Sequence, residues 1–217
     1  MNAVLFDMDG VLVDSEDYWI PYEEDGLIDT LGDDRIAVHE MTGMNYRELY
    51  GVLDERYDLT MDRESFLAWY EETAERIYTE DATLLEGAQQ LVDDLRSQGA
   101  TVGIVSSSPP HWIDMVRERF ALDVDAVTSA DTIDEPGKPE PHVYEIAARE
   151  MGVAPENAIA VEDSVHGIEA ASRAGLHVVG FRHGNDDETD RSEANYVADS
   201  PADLREYLRE QWTPHAE

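Results

Sequence analysis

From residue 87 onward, short and largely apolar runs alternate with amphipathic helical segments, and no other feature of the chain restricts its fold as much. Residues 100–105, 126–129, 158–161 and 177–181 read as strands, with 196–198 as an edge strand. Between and after them, 87–98, 113–120, 139–151, 165–174 and 201–210 carry helical spacing, and Gly99, Gly152 and Gly175 stand where helices end. A further run, Ala3-Val4-Leu5-Phe6, opens the chain. Runs without polar alternation suit strands covered on both faces. Regular strand–helix alternation builds right-handed βαβ units, so the predicted fold class is α/β, a Rossmann-like doubly wound parallel sheet. Such sheets place their working groups beyond the carboxyl ends of the strands, near the point where strand order reverses.

Polar residues fall at those ends. Asp7 and Asp9 follow the first run, Ser106 and Ser107 the second, and Glu162 with Asp163 the fourth, while Lys138 precedes a helix start. The acidic pair alone says little. Acidic residues fill 50 of 217 positions, so about eleven pairs with that spacing arise by chance. The apolar run before it and Gly10 after it, able to turn the chain sharply, give it meaning. Crowded carboxylates repel and call for a cation, and Mg²⁺ prefers oxygen ligands. Lys138 is the one lysine among 15 basic residues. A compact ammonium suits a position among phosphate oxygens and carboxylates.

After Ser15 the pattern is helical for about seventy positions. Tyr18, Trp19, Tyr22, Leu27, Ile28 and Leu31 mark one face, interrupted near Pro21 and Gly26, and Gly32-Asp33-Asp34 and Thr42-Gly43 read as breaks. Residues 46–57 and 66–77 give two more helices. Nothing here reads as a buried strand, which predicts an all-helical insertion whose aromatic stripe is chiefly packing core.

The chain is 42% hydrophobic, enough for a globular fold. No apolar run is long enough to span a bilayer and no leader-like segment opens the chain, which predicts a soluble, cytoplasmic protein without a membrane partner. The absence of cysteine excludes disulfides and thiolate metal sites. A net charge of −35 argues against nucleic acid as a partner. The acids are interleaved with apolar residues along the whole chain, which predicts a solvated acidic coat of the halophilic kind, with the acidic loop 184–193 exposed. The pattern does not specify an oligomeric state and is compatible with a monomer.

If the strand ends converge, the chemistry they suit is phosphoryl transfer, which needs an in-line nucleophile and neutralised phosphate oxygens. Asp7 would attack phosphorus; Asp9 would protonate the leaving oxygen and later activate water. Asp163, with Glu162, would complete a Mg²⁺ shell with Asp7. Ser106 and neighbouring amides would bind phosphate oxygens, and Lys138 would hold the phosphate and keep the carboxylates ionised.

Asp7-x-Asp9-Gly10-Val-x-Val-Asp14-Ser15, Ile104-Val105-Ser106, Gly137-Lys138-Pro139-x-Pro141 and Val161-Glu162-Asp163-Ser164-x-x-Gly167 resemble, in order, the four motifs of the haloacid dehalogenase-like hydrolase superfamily. The match is to the branch with phosphoglycolate phosphatase-like enzymes and β-phosphoglucomutase. The resemblance implies a core of residues 1–14 and 83–217, a helical cap of 15–82, an aspartyl-phosphate on Asp7, and Mg²⁺ binding through the main-chain carbonyl of Asp9. Dehalogenases lack the second aspartate, so Asp9 speaks against dehalogenation. β-Phosphoglucomutase carries a histidine where this chain has Trp19, and cap lysine and arginine near Thr42-Gly43-Met44-Asn45-Tyr46, where only Arg47 is close. The expectation is a Mg²⁺-dependent phosphatase of a small phosphorylated metabolite, with Arg47, Trp19 and Tyr22 as candidate substrate contacts. The alternatives are a phosphosugar mutase and, in another class, a receiver-like phosphoacceptor module.

Overall fold

The computed structural model describes residues 1–31, 45–57, 59–182 and 189–212. Among them, β1 (Ala3–Phe6), β2 (Thr101–Ser106), β3 (Ala126–Ser129), β4 (Ala158–Glu162), β5 (His177–Phe181) and β6 (Tyr196–Ala198) form one parallel sheet in the order β3-β2-β1-β4-β5-β6. The order reverses at β1, which places the switch point between β1 and β4.

Period-two alternation sorts the strand side chains between two cores. Val4, Phe6, Val102, Ile104, Ile159 and Val161 face one side. There they meet α4 (Ala88–Ser97), α5 (Pro110–Phe120) and α8 (Pro201–Trp212) through Leu91, Leu95, Ile113, Val116, Leu204 and Leu208. Ala3, Leu5, Val105, Ala158 and Ala160 face α6 (His142–Glu150) and α7 (Val165–Arg173), whose inner residues include Ala147, Ala170 and Ala171. Alanines are frequent on this second side, beside larger residues such as Leu5, Tyr144 and Ile168.

Between β1 and β2 the described elements are helical: α1 (Glu16–Leu31), α2 (Tyr46–Arg56), α3 (Arg63–Arg76) and a π-helical turn Ile77–Asp81. The chain leaves and rejoins the sheet side by side. Asp14 N donates to Thr83 O (3.1 Å), Leu85 N donates to Leu12 O (2.8 Å), and the Asp14 carboxylate accepts from Thr83 Oγ1 (2.7 Å) and Thr83 N.

Several expectations on elements change, among them the start of α5, which begins at Pro110 instead of 113. α1 runs through Pro21 and Gly26 without a break, and Gly26 serves contact: a Cβ there would lie 2.4 Å from the Trp69 ring. α6 starts at His142 instead of 139, because Pro141 disfavours helical backbone at Glu140. The loop after β5 is not all exposed, since Arg191 is buried with Nε donating to Phe181 O (3.2 Å). The breaks expected at 32–34 and 42–43 and the first part of the acidic loop lie outside the described residues. No described helix is long and apolar enough to cross a membrane.

Candidate active site

Each chemistry-bearing residue sits at a strand's carboxyl end or in the loop beyond it. Asp7 directly follows β1 and extends its pairing, its N donating to Val161 O (2.9 Å). The chain then folds into a tight loop: Met8 O accepts from Leu12 N (2.9 Å) and Val13 N (3.1 Å), and Gly10 takes φ +70°. Gly10 is obligatory for a second reason, because a Cβ on it would lie 1.8 Å from Asp163 Oδ2. Gly167 does the same for Glu162, since a Cβ there would stand 1.9 Å from Glu162 Oε2. These two glycines let backbone approach the acid cluster closely.

Lys138 enters from the loop before α6 and is almost fully buried. Its Nζ donates to Asp7 Oδ1 (2.7 Å) and Glu162 Oε1 (2.6 Å), with Val105 O at 3.4 Å. Tyr144 OH also donates to Glu162 Oε1. Carboxylate oxygens of Asp7, Glu162 and Asp163 lie within 4.8 Å of one another, and Glu162 Oε2 is buried without a hydrogen-bond partner. This hard, all-oxygen set could hold a metal ion, and it fits Mg²⁺ in donor chemistry and in excess negative charge.

Electrostatics follow from burial. Desolvation raises Asp7 above the usual carboxylate range against the pull of Lys138, and it raises Asp163 well above, helped by Asp7 and Glu162. Burial, opposed chiefly by Lys138, lifts Glu162 to about 7. Burial alone would lower Lys138, but the charges of Asp7 and Glu162 outweigh it and raise its pKa. One ammonium therefore faces more carboxylates than it can neutralise.

Asp9 turns away from this cluster. Its Oδ1 accepts from Ser15 Oγ (2.6 Å) and Tyr78 OH (2.7 Å), and its Oδ2 from Ser108 Oγ (2.9 Å). Burial, then the charge of Asp7, raises its pKa, and the three hydroxyls oppose the shift. Ser106 lines the cavity while its Oγ accepts from Ser108 N (3.0 Å), a turn closed by a side chain. Ser107 also lines the cavity, and its carbonyl accepts from Asn45 Nδ2 (2.9 Å).

The cavity continues into the helical segment along Trp19, Tyr46, Leu49 and Tyr70. Trp19 is thus a wall residue, its Nε1 donating to Tyr78 OH (3.1 Å). Arg47 is not: its Nε donates to Asp131 Oδ1 (2.8 Å), and the guanidinium lies 4.9 Å from the Tyr46 ring centre. Tyr22 also lies outside the cavity wall, its OH donating to Asp81 (3.2 Å). Those partners capture both side chains. Tyr78, Ser108, Tyr144 and Asn45 escape sequence reading; the only signal for Ser108 was its place in the Ser106-Ser107-Ser108 run after a strand.

A model of haloacid dehalogenase-like hydrolases matches residues 1–175. The chain is 33% identical over 196 residues to hexitol phosphatase B of Escherichia coli, covering 82% of each. It is 28% identical over 226 residues to a phosphorylated carbohydrates phosphatase of Thermotoga maritima, covering 97% of this chain and 99% of that protein. The crystal structure of β-phosphoglucomutase from Clostridium difficile superimposes with a TM-score of 0.77 at 26% identity, covering 98% and 97% of the two chains. With its ordered motifs gathered at the switch point of a parallel sheet, the chain belongs to the haloacid dehalogenase-like hydrolases.

Proposed function

We propose that the protein hydrolyses phosphomonoesters of small metabolites through an aspartyl-phosphate on Asp7. The observation that carries this reading is Asp7 itself, held by Lys138 at 2.7 Å in the wall of a cavity that leads out along Trp19 and Tyr46. With Oδ1 on Lys138, the other Asp7 oxygen is left to attack phosphorus as the ester P–O bond breaks. Asp9, its pKa raised, gives its proton to the departing oxygen. Ionised Asp9 then takes a proton from water, the water oxygen attacks phosphorus, and the acyl-phosphate P–O bond breaks to release phosphate and restore Asp7. Ser106, Ser107 and Lys138 bind phosphoryl oxygens. Asp7, Asp163 and Glu162, with the Asp9 carbonyl that the family resemblance implies, would hold Mg²⁺, which when bound neutralises charge on carboxylates and phosphate.

In this reading residues 15–82 are a cap that closes the cavity and selects the substrate, and the acidic coat suits solutions of high salt. A mutase must hold a second phosphoryl group, and among the described wall residues Lys138 is the only cation. A phosphoacceptor module has no use for the aromatic extension of the cavity. Phosphate release over a panel of phosphomonoesters with Mg²⁺ and KCl tests the proposal. Multiple turnovers are expected, and Asp7→Asn should cost more than about a thousandfold in kcat with unchanged circular dichroism. One equivalent of phosphate per chain, or an active Asp7→Asn, would refute it.

A further inference from the structure

Beyond the acid cluster the cavity has a far wall that the phosphoryl chemistry does not use. Trp19 stacks with Tyr70 (ring centres 5.6 Å, interplanar 25°) and with Trp112 (5.6 Å, 29°), and Tyr46 lies 4.8 Å from Trp112. Glu23 is set into this aromatic wall with its Oε1 accepting from Tyr70 OH (2.7 Å), and Glu16 lines the same cavity. Lys138, the only cation among the described wall residues, is already engaged by Asp7 and Glu162. Packed against one another, these rings form an apolar wall that suits the C–H groups of a leaving group and offers a carboxylate or phosphate nothing. A carboxylate with one position taken by a tyrosine keeps others for hydroxyl donors. Burial raises the pKa of Glu23 to about 7, so above that pH a carboxylate or second phosphate on the leaving group would be desolvated beside a charged Glu23, with no cation among the described wall residues left to pair it.

We propose that Glu23, fixed by Tyr70, is a specificity-determining residue that accepts hydrogen bonds from hydroxyls of an uncharged leaving group and rejects leaving groups carrying a second anion. The substrate class is then monophosphates of uncharged, hydroxyl-rich molecules. The inference rests on the phosphomonoester hydrolase reading above.

The test measures kcat/KM of the full chain with Mg²⁺ at about pH 8.5, above the pKa of about 7 to which burial raises Glu23, on a hexitol monophosphate, phosphoglycolate and nitrophenyl phosphate. The wild type is expected to prefer the hexitol ester over phosphoglycolate by about a hundredfold or more. Glu23→Leu should lower the ratio of hexitol ester to nitrophenyl ester by about tenfold. Glu23→Gln keeps acceptor and donor but no charge. It should hold that ratio within about threefold while raising phosphoglycolate turnover relative to the hexitol ester about tenfold. Thermal melts confirm folding, and if Glu23→Leu does not fold, the Gln variant decides. A wild type that favours phosphoglycolate, or a Glu23→Gln whose ratios match wild type, overturns the inference and leaves the hydrolase reading standing. No phosphate from any of the three esters overturns both.

Discussion

Asp9 shows how single side chains acquire their roles here. Three hydroxyls, from Ser15, Tyr78 and Ser108, converge on its carboxylate from the helical segment and from the loop after β2. They orient the acid away from Asp7, so two carboxylates separated by one residue meet different partners, three hydroxyls for Asp9 and the Lys138 ammonium for Asp7. The hinge between them and the next turn is Gly10. A methyl group there would meet Asp163 Oδ2 at 1.8 Å while the backbone stayed at φ +70°, so Gly10→Ala has to displace a carboxylate and strain the loop together. The expected cost is about 1–3 kcal/mol of stability and at least about tenfold in kcat/KM, since small misplacement of reacting groups is expensive. Denaturant melts and steady-state kinetics check this, and an Ala variant with wild-type activity would show that Asp163 can move freely. The placement of Asp7, Asp9 and Asp163 was legible in sequence because each lies just past a strand, and Lys138 stood out as the one lysine, in a loop before a helix. Tyr78 and Tyr144 were not, because a tyrosine at helical spacing reads equally well as core.

Between elements, the joint that matters most is the clasp at Glu71 on α3. Its carboxylate accepts from Tyr46 OH (2.7 Å) on α2 and from His111 Nε2 and Trp112 Nε1 (both 2.8 Å) on α5. Helices of the insertion are thereby tied to a helix of the sheet's own layer, and Tyr46 and Trp112 are also cavity wall. Burial alone would raise the Glu71 pKa, but the bonds from His111, Tyr46 and Trp112 hold it below its ordinary 4.5. A depressed carboxylate stabilises the fold above its ordinary range, and that stability is lost as pH falls through the folded value. Glu71→Ala should therefore cost roughly 1–2 kcal/mol near neutral pH, because three donors lose an acceptor at a partly exposed site. The difference from wild type should be smaller at about pH 4 than at about pH 7.5, as read from urea melts. KM should rise with it. A penalty independent of pH would show that packing, and not the clasp, carries the effect.

At the scale of the whole molecule, a net charge of −35 sets the terms. Many arginines are spent on surface pairs: Arg96 with Asp123 and Asp125, Arg173 with Glu169, Arg182 with Asp199, Arg209 with Asp94. Such exposed pairs contribute little each, so most of the self-repulsion is left to salt. The Debye length falls from about 10 Å at 0.1 M to about 3 Å at 1 M, and Tm should rise by several degrees or more over that range of KCl. A Tm independent of KCl would refute the halophilic reading. The sequence by itself determined the parallel sheet, the helical insertion and the residues at the strand ends, because apolar period and turn residues act locally and survive without knowledge of partners. Tertiary structure alone decided that Asp9 faces three hydroxyls, that Arg47 goes to Asp131 while Trp19 lines the cavity, and that Glu23 meets Tyr70. Those pairings join residues up to 99 positions apart, and a side chain's partner over such separations is set by how helices pack, which no local pattern encodes.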